Sequence, residues 1–197
     1  LLFKDEFKLD LELEIIECAG WRRADYWDDT GLTWVNPSPN MRSLTEALLY
    51  PGIGLLEYTN LSVGRGTDTP FEVIGAPWLD GQKPAAALQA QRLPGVTFIP
   101  IEFTPASSKF AHERCGGINI AITDRAVFEP LRTGLAVALQ LRTTHPDTWE
   151  TKHYARLLGN DATFNAVVDA RPLADVLQLT QQGLNEFARR RARHLLY

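Results

Sequence analysis

The chain has 197 residues, 45% of them hydrophobic and 22% charged, with a formal net charge of −4. That length can bury a core without disulfide or metal staples, and the balance excludes a disordered chain. No apolar run approaches the roughly 20 residues of a membrane-spanning helix, and residues 51–197 carry 14 acids against 15 bases, which leaves no basic stripe for nucleic acid.

In chain order, residues 9–15 alternate leucine or isoleucine with acid, the period of a strand with one wet face. Gly20-Trp21 and the aromatic stretch 26–31 follow as a loop closed by Gly31. Ser43 with Glu46 forms a capping box for a short helix through Leu44, Ala47 and Leu48, which Pro51-Gly52 stops. Residues 54–58 and 71–74 read as strands on either side of a polar loop. Asp80 caps a helix that ends at Pro94-Gly95, and residues 96–103 and 118–122 read as strands. Beyond Asp124 the pattern is helical, around 131–141, 154–158, 164–168, 173–179 and 184–195. Arg189, Arg190, Arg191 and Arg193 suit the last turns of that final helix. The expectation is a single α/β domain over 1–197, a mixed sheet covered by helices with an all-helical C-terminal third.

Cys18 and Cys115 are too few for a disulfide framework, and neither they nor the four scattered histidines show a CxxC or HExxH spacing, so neither metal nor cofactor is expected. Cys115 reads as a small residue before a strand. Leu at position 1, with Met41 the sole methionine, points to a processed or truncated product.

Chemistry concentrates between residues 57 and 78. Gly64-Arg65-Gly66-Thr67 either brings backbone amides and a forked guanidinium to a carboxylate or phosphate, or is a plain glycine turn. Glu57 and Glu72 flank the loop, and paired carboxylates cleave glycosidic bonds as acid and base or nucleophile; equally, each can orient the loop or pair with Arg65. Asp68 is a third carboxylate. Asn36-Pro37-Ser38-Pro39-Asn40 is stiff, and its asparagines suit either sugar hydroxyls or their own backbone. Trp21, Trp27, Trp34 and Trp78 lie in or beside these loops, where an indole either stacks on a sugar or packs in a core.

The run Trp34-Val35-Asn36-Pro37-Ser38-Pro39-Asn40-Met41, the block Thr59-Asn60-Leu61-Ser62-Val63-Gly64-Arg65-Gly66-Thr67 with Pro70-Phe71-Glu72, and Gly75-Ala76-Pro77-Trp78 resemble the DUF1343 family, whose characterised members are NamZ-type exo-β-N-acetylmuramidases. The resemblance continues through Pro94-Gly95-Val96, Phe103-Thr104-Pro105, Ser108-Lys109, Cys115-Gly116-Gly117 and Thr123-Asp124-Arg125 to Leu195-Leu196-Tyr197.

It implies that this chain corresponds to the C-terminal half of a protein about twice as long. A Rossmann-like N-terminal half, with its catalytic glutamate in a Glu-His-Gly motif absent here, would be the partner across a sugar-binding cleft. The implied activity is release of N-acetylmuramic acid from peptidoglycan-derived muramic acid glycosides in the cell envelope, periplasmic or secreted. Glu72 and Glu57 would be catalytic, with Arg65, Asn60, Thr67, Gly66, Asn36, Asn40 and Trp78 binding substrate and Arg65 meeting the lactyl carboxylate. One departure stands out: Tyr58 replaces a glycine usual in the family, which disfavours any positive φ there. The other readings are a non-catalytic carbohydrate-binding or partner-binding module, and a phosphate-binding α/β protein.

Overall fold

The computed structural model describes residues 1–197. The elements in chain order are α1 (Leu2–Glu6), α2 (Leu44–Ile53), β1 (Val73–Ala76), α3 (Gln82–Ala90), β2 (Val96–Phe103), β3 (Cys115–Ile122), α4 (Pro130–Thr144), α5 (Ala155–Leu158), α6 (Asp161–Val168), α7 (Leu173–Thr180) and α8 (Leu184–Ala192), with 3₁₀ turns at Trp27–Thr30 and Gly54–Tyr58. They fall into two compact units, Leu1–Thr33 with Thr180–Tyr197, and Trp34–Leu179. The sequence pattern points to one domain, whereas the second unit alone carries the sheet. No helix is long and apolar enough to cross a membrane.

In the first unit the arginines at the end of α8 are ion-pair partners: Arg190 grips Glu6 through two bonds of 2.7 and 2.6 Å, and Arg193 reaches Asp5 at 2.8 Å. Residues 9–15 form no strand and leave Leu9, Leu11, Leu13 and Ile15 exposed. Alternation gives a chain the right faces, but a strand also needs a neighbour to satisfy its backbone, and none pairs here.

The second unit is built on an antiparallel sheet in the order β1-β3-β2. The β1–α3–β2 crossover makes β1 and β2 run parallel, as alternating strands and helices imply, but β3 inserts between them and pairs antiparallel with both. The sheet is therefore α/β in its sequence pattern without being mixed in its ladders. At the outer edge of β2, Gln89 accepts from the Phe98 N–H at 3.1 Å, and Pro100 has no N–H to offer, so the edge resists further pairing.

Leu49, Ile53, Leu56, Leu61, Ile74, Leu88, Ile118, Ile120, Leu135 and Leu141 are buried together between sheet and helices. Each contributes roughly 1.5–3 kcal/mol relative to exposure. Helix α2 starts at the expected cap, with Ser43 Oγ accepting from Glu46 N at 3.1 Å, but the box is half-made, because the Glu46 carboxylate takes the Arg42 N–H and not that of Ser43. Pro51 does not end it, since the helix passes through Gly52 and continues as the 3₁₀ turn that replaces the expected strand at 54–58. Gly52 stays because α2 presses on α4 there: a Cβ would lie 1.9 Å from the Pro130 carbonyl oxygen. The last third is helical as expected, α4 to α7 enclosing Trp149 and Tyr154, whose rings lie 5.7 Å apart.

Candidate functional site

The chain from Glu57 to Glu72 is tied down along its length. Ser62 and Gly75 exchange two backbone bonds of 2.8 and 3.0 Å, which lays the loop against β1. This antiparallel bridge sets the Asn60 end of the loop beside the Pro77-Trp78 turn and the Gly64 end near the residues that lead into β1. At the first end, Asn60 donates from Nδ2 to the Thr148 carbonyl and accepts the Glu150 N–H on Oδ1, both at 2.8 Å. Both ends of its amide thus help to hold a neighbouring loop. Trp78 meets His145 at a tilt of 51°, with ring centroids 5.4 Å apart, and packs on the core at this same end.

At the other end the glycine turn closes on itself, Thr67 Oγ1 donating to the Gly64 carbonyl at 2.7 Å while accepting the Thr69 N–H at 3.2 Å. Gly66 has φ +86°, and its carbonyl accepts the Ala106 N–H at 2.8 Å. A Cβ at Gly66 would sit 2.1 Å from the Ser107 carbonyl oxygen, so no other residue fits. Gly66 and Thr67, expected as ligand contacts, frame Arg65 through these bonds and this close approach.

Arg65 hydrogen-bonds through Nε to Glu57 Oε1, and its guanidinium lies 5.3 Å over the Phe71 ring, which is itself edge-on to Tyr50. Phe71 holds φ 66°, a conformation a bulky residue adopts only when its surroundings impose it. With 33% of the Arg65 side chain exposed, donors remain for a ligand. Beside it, Lys109 donates from Nζ to the carbonyls of Glu57 (3.1 Å), Thr59 and Leu61 (3.2 Å). Burial pushes its ammonium pKa below the ordinary value, and the charges of Glu57 and Glu150 pull it part of the way back.

Glu72 is half-buried, and its carboxyl pKa is raised, first by burial and then by the Glu46 carboxylate. Glu46, 1% exposed, takes the Arg42 N–H. Arg42 in turn donates from Nε to the Pro39 carbonyl at 3.0 Å and pairs with Asp68 at 3.7 Å. The Ser38–Met41 turn, Glu46, the Asp68 tip of the loop and Glu72 thus form a connected group. Asn40 is partly buried in that turn and Asn36 is exposed beside it.

Glu57 and Glu72, expected as a carboxylate pair, have different neighbours: Glu57 answers Arg65, and the acid that acts on Glu72 is Glu46. Sequence reasoning read Glu46 only as a helix cap and Lys109 only as part of a shared motif. Neither spacing announces its second role, because Lys109 lies 48 to 52 residues from the carbonyls it holds. Tyr58 sits at the end of the 3₁₀ turn, where it holds no positive φ, and carries Arg156 at 5.6 Å on its ring. Cys115 is fully buried and its thiol pKa is raised, first by burial, which makes it inert as a nucleophile. A cavity of about 560 Å³ at the far end of β1 is lined by Pro77, Asp80, Pro100, Glu102 and Arg114 and contains none of the predicted site residues.

The unit that carries this loop has counterparts in known proteins. The chain belongs to the family described as exo-β-N-acetylmuramidase NamZ: its C-terminal model matches residues 48–197 and its N-terminal model residues 1–45. It is 36% identical over 199 residues to the peptidoglycan β-N-acetylmuramidase NamZ of Bacillus subtilis (strain 168), covering 100% of this chain and 48% of that protein. The chain thus spans about half the length of the curated relative it matches. The fold is that of a DUF1343 family protein from Bacteroides fragilis NCTC 9343, with a TM-score of 0.89 at 24% identity over 100% of this chain and 54% of the other. A second DUF1343 protein of that organism superposes over 82% of this chain and 43% of its own, with a TM-score of 0.64 at 24% identity. The border between the two family models falls at the start of α2, so Arg42 lies on one side and Asp68 and Glu72 on the other.

Proposed function

We propose that this chain carries the sugar-recognising side of the active site of a peptidoglycan exo-β-N-acetylmuramidase. The observation behind this reading is Arg65: a partly exposed guanidinium, 5.3 Å over the Phe71 ring and steadied by Glu57, on a loop where Gly66 admits no other residue. N-acetylmuramic acid differs from N-acetylglucosamine by a lactyl carboxylate, and a planar guanidinium takes a carboxylate in bidentate fashion. In this reading Asn40, in the turn linked to Asp68 through Arg42, and Asn36 beside that turn supply hydrogen bonds to sugar hydroxyls or the acetamido group. Asn60, Thr67 and Gly66 hold the loop in shape.

Glu72 supplies one of the two carboxyl groups that glycoside hydrolysis needs, and its raised pKa suits the member that holds a proton. Glu57 is the orienting partner of Arg65 in place of the second catalytic carboxyl. The other carboxyl belongs, in this reading, to the family's N-terminal half, which is also the chain's partner across the cleft. The setting is the cell envelope, periplasmic or secreted, where peptidoglycan fragments arise.

The test is calorimetric titration of the 197-residue chain with N-acetylmuramic acid and with N-acetylglucosamine. The muramic acid is expected to bind more tightly, by about tenfold, with the preference lost in Arg65→Met. Equal binding of the two sugars by the wild type overturns the assignment. Turnover lost and binding kept in Glu72→Gln of the catalytically competent protein separates a catalytic carboxyl from a binding module.

A further inference from the structure

The two compact units differ in what they bury. Every residue of the hydrophobic core lies between Trp34 and Leu179, whereas in Leu1–Thr33 with Thr180–Tyr197 no residue is buried. That unit is not poor in apolar side chains. Phe3, Phe7, Ile16, Leu184, Phe187 and Leu196 all stand in solvent, Ile16 with 90% of its surface. Burial of apolar surface is what offsets the entropy of ordering a chain, so apolar surface on this scale around no core marks a contact face.

Residues 9–15 show what that face is built to meet. Leu9, Leu11, Leu13 and Ile15 alternate with Asp10, Glu12 and Glu14, and in an extended chain the two sets point to opposite sides. The Lys4 ammonium donates to the Leu11 carbonyl, and past Leu11 no main-chain hydrogen bond fastens the segment until the Cys18 carbonyl accepts the Trp21 N–H at 3.3 Å. Free N–H and C=O groups with one apolar side are half of a ladder, which the edge of another sheet completes. The acids keep the second side in water, so the segment suits the margin of a sheet covered on one face. Beside it lies a groove of about 400 Å³ lined by Leu1, Ile15, Phe187, Leu195 and Leu196.

The family matches indicate the occupant. Helix α1 and residues 9–15 fall within the N-terminal family model, while α8, which holds α1 through Arg190 and Arg193, falls within the C-terminal one. This chain covers 48% of the curated relative, so about half of that protein lies outside the match. A second copy of the chain is a poor occupant, because pairing 9–15 with itself sets acid against acid.

We propose that Leu1–Thr33 with Thr180–Tyr197 is the docking face for the family's N-terminal half, and that residues 9–15 join the sheet of that half as an edge strand. Leu9, Leu11, Leu13 and Ile15 then turn into its core and Asp10, Glu12 and Glu14 stay in water. The identity of the partner rests on the proposed division of the active site between two halves, and the sugar contacts of Arg65 play no part in the docking.

The experiment is co-expression of the 197-residue chain with the part of the Bacillus subtilis relative outside the match, followed by sedimentation and amide hydrogen exchange. The chain alone is expected to be a monomer with residues 12–15 unprotected, and the pair to form a 1:1 complex in which those amides slow at least about a hundredfold. Leu11→Asp with Leu13→Asp is expected to abolish the complex and Glu12→Gln to leave it intact, with the melting of Trp34–Leu179 unchanged in both because none of these side chains is in the core. Absence of a complex, a complex that leaves 9–15 unprotected, or a homodimer of the isolated chain that protects them overturns the docking. Sugar titration of the isolated chain reads Arg65 separately: failed docking with a preference for muramic acid kept sinks this inference alone, and docking by a chain indifferent to the two sugars sinks the assignment of Arg65 alone.

Discussion

Two arginine–glutamate pairs, one in each compact unit, use the same chemistry to opposite ends. In the first unit Arg190 grips Glu6 with two parallel bonds, close to the ideal fork, yet 48% of its side chain is in solvent. In the second unit Arg65 meets Glu57 with Nε alone, but over an aromatic ring and with Lys109 on the backbone carbonyl of that glutamate. The better-formed pair spends Nε and one Nη of Arg190 on both carboxylate oxygens of Glu6 in fastening α8 to α1. The less complete pair keeps donors in reserve, and reserve is what recognition requires. Burial and unspent valence, more than the ideality of a pair, separate the candidate site from the fastening.

The largest expected effect tests whether the Arg65 pair depends on its frame. Gly66→Ala puts a Cβ 2.1 Å from the Ser107 carbonyl oxygen at φ +86°. Relief requires the 105–108 segment to move off the loop, and the cost is expected to be about 3 kcal/mol, read as a lower urea midpoint. An unfolding midpoint within error of wild type would mean that this segment and the loop separate freely, and the contrast between the two pairs would lose its structural basis.

A smaller, pH-dependent effect comes from Glu72. Its folded pKa is raised from an ordinary value near 4.5 by burial and by Glu46. Folding therefore favours the protonated form, so any stability it contributes is present below that ordinary value and is lost as pH rises through the folded pKa. Glu72→Gln removes the charge, and is expected to raise Tm by about 2 °C at pH 7 with the gain shrinking as pH falls towards 4. A gain that persists unchanged at pH 4 would show that Glu72 carries no raised pKa.

The contrast also marks what the sequence can disclose. The Ser43 cap of α2, the helices of the last third and the strand at 96–103 were legible because their signals are local. Residues 54–58 were not, since a short apolar run fits a strand or a 3₁₀ turn equally, and residues 9–15 were not, since pairing lies outside the segment. Within the site, the glycine turn and Arg65 stood out by type and spacing. The link from Lys109 to residues some 50 positions away, and the approach of Glu46 to Glu72, are products of packing that no spacing rule encodes.

The smallest expected effect falls on the pair with the finer geometry. Arg190 and Glu6 are held by two short bonds, and a count of contacts would rank them first. Arg190, however, is 48% exposed, so the attraction is weakened by water, the side chains lose freedom to meet, and salt screens what is left. Arg190→Gln is therefore expected to shift Tm by no more than about 1 °C, with the shift vanishing in high salt, and to leave the binding of both sugars untouched. A larger loss, insensitive to salt, would mean that the fastening of α8 to α1 rests on this pair, and that geometry, not burial, is the better guide to which arginine matters in this protein.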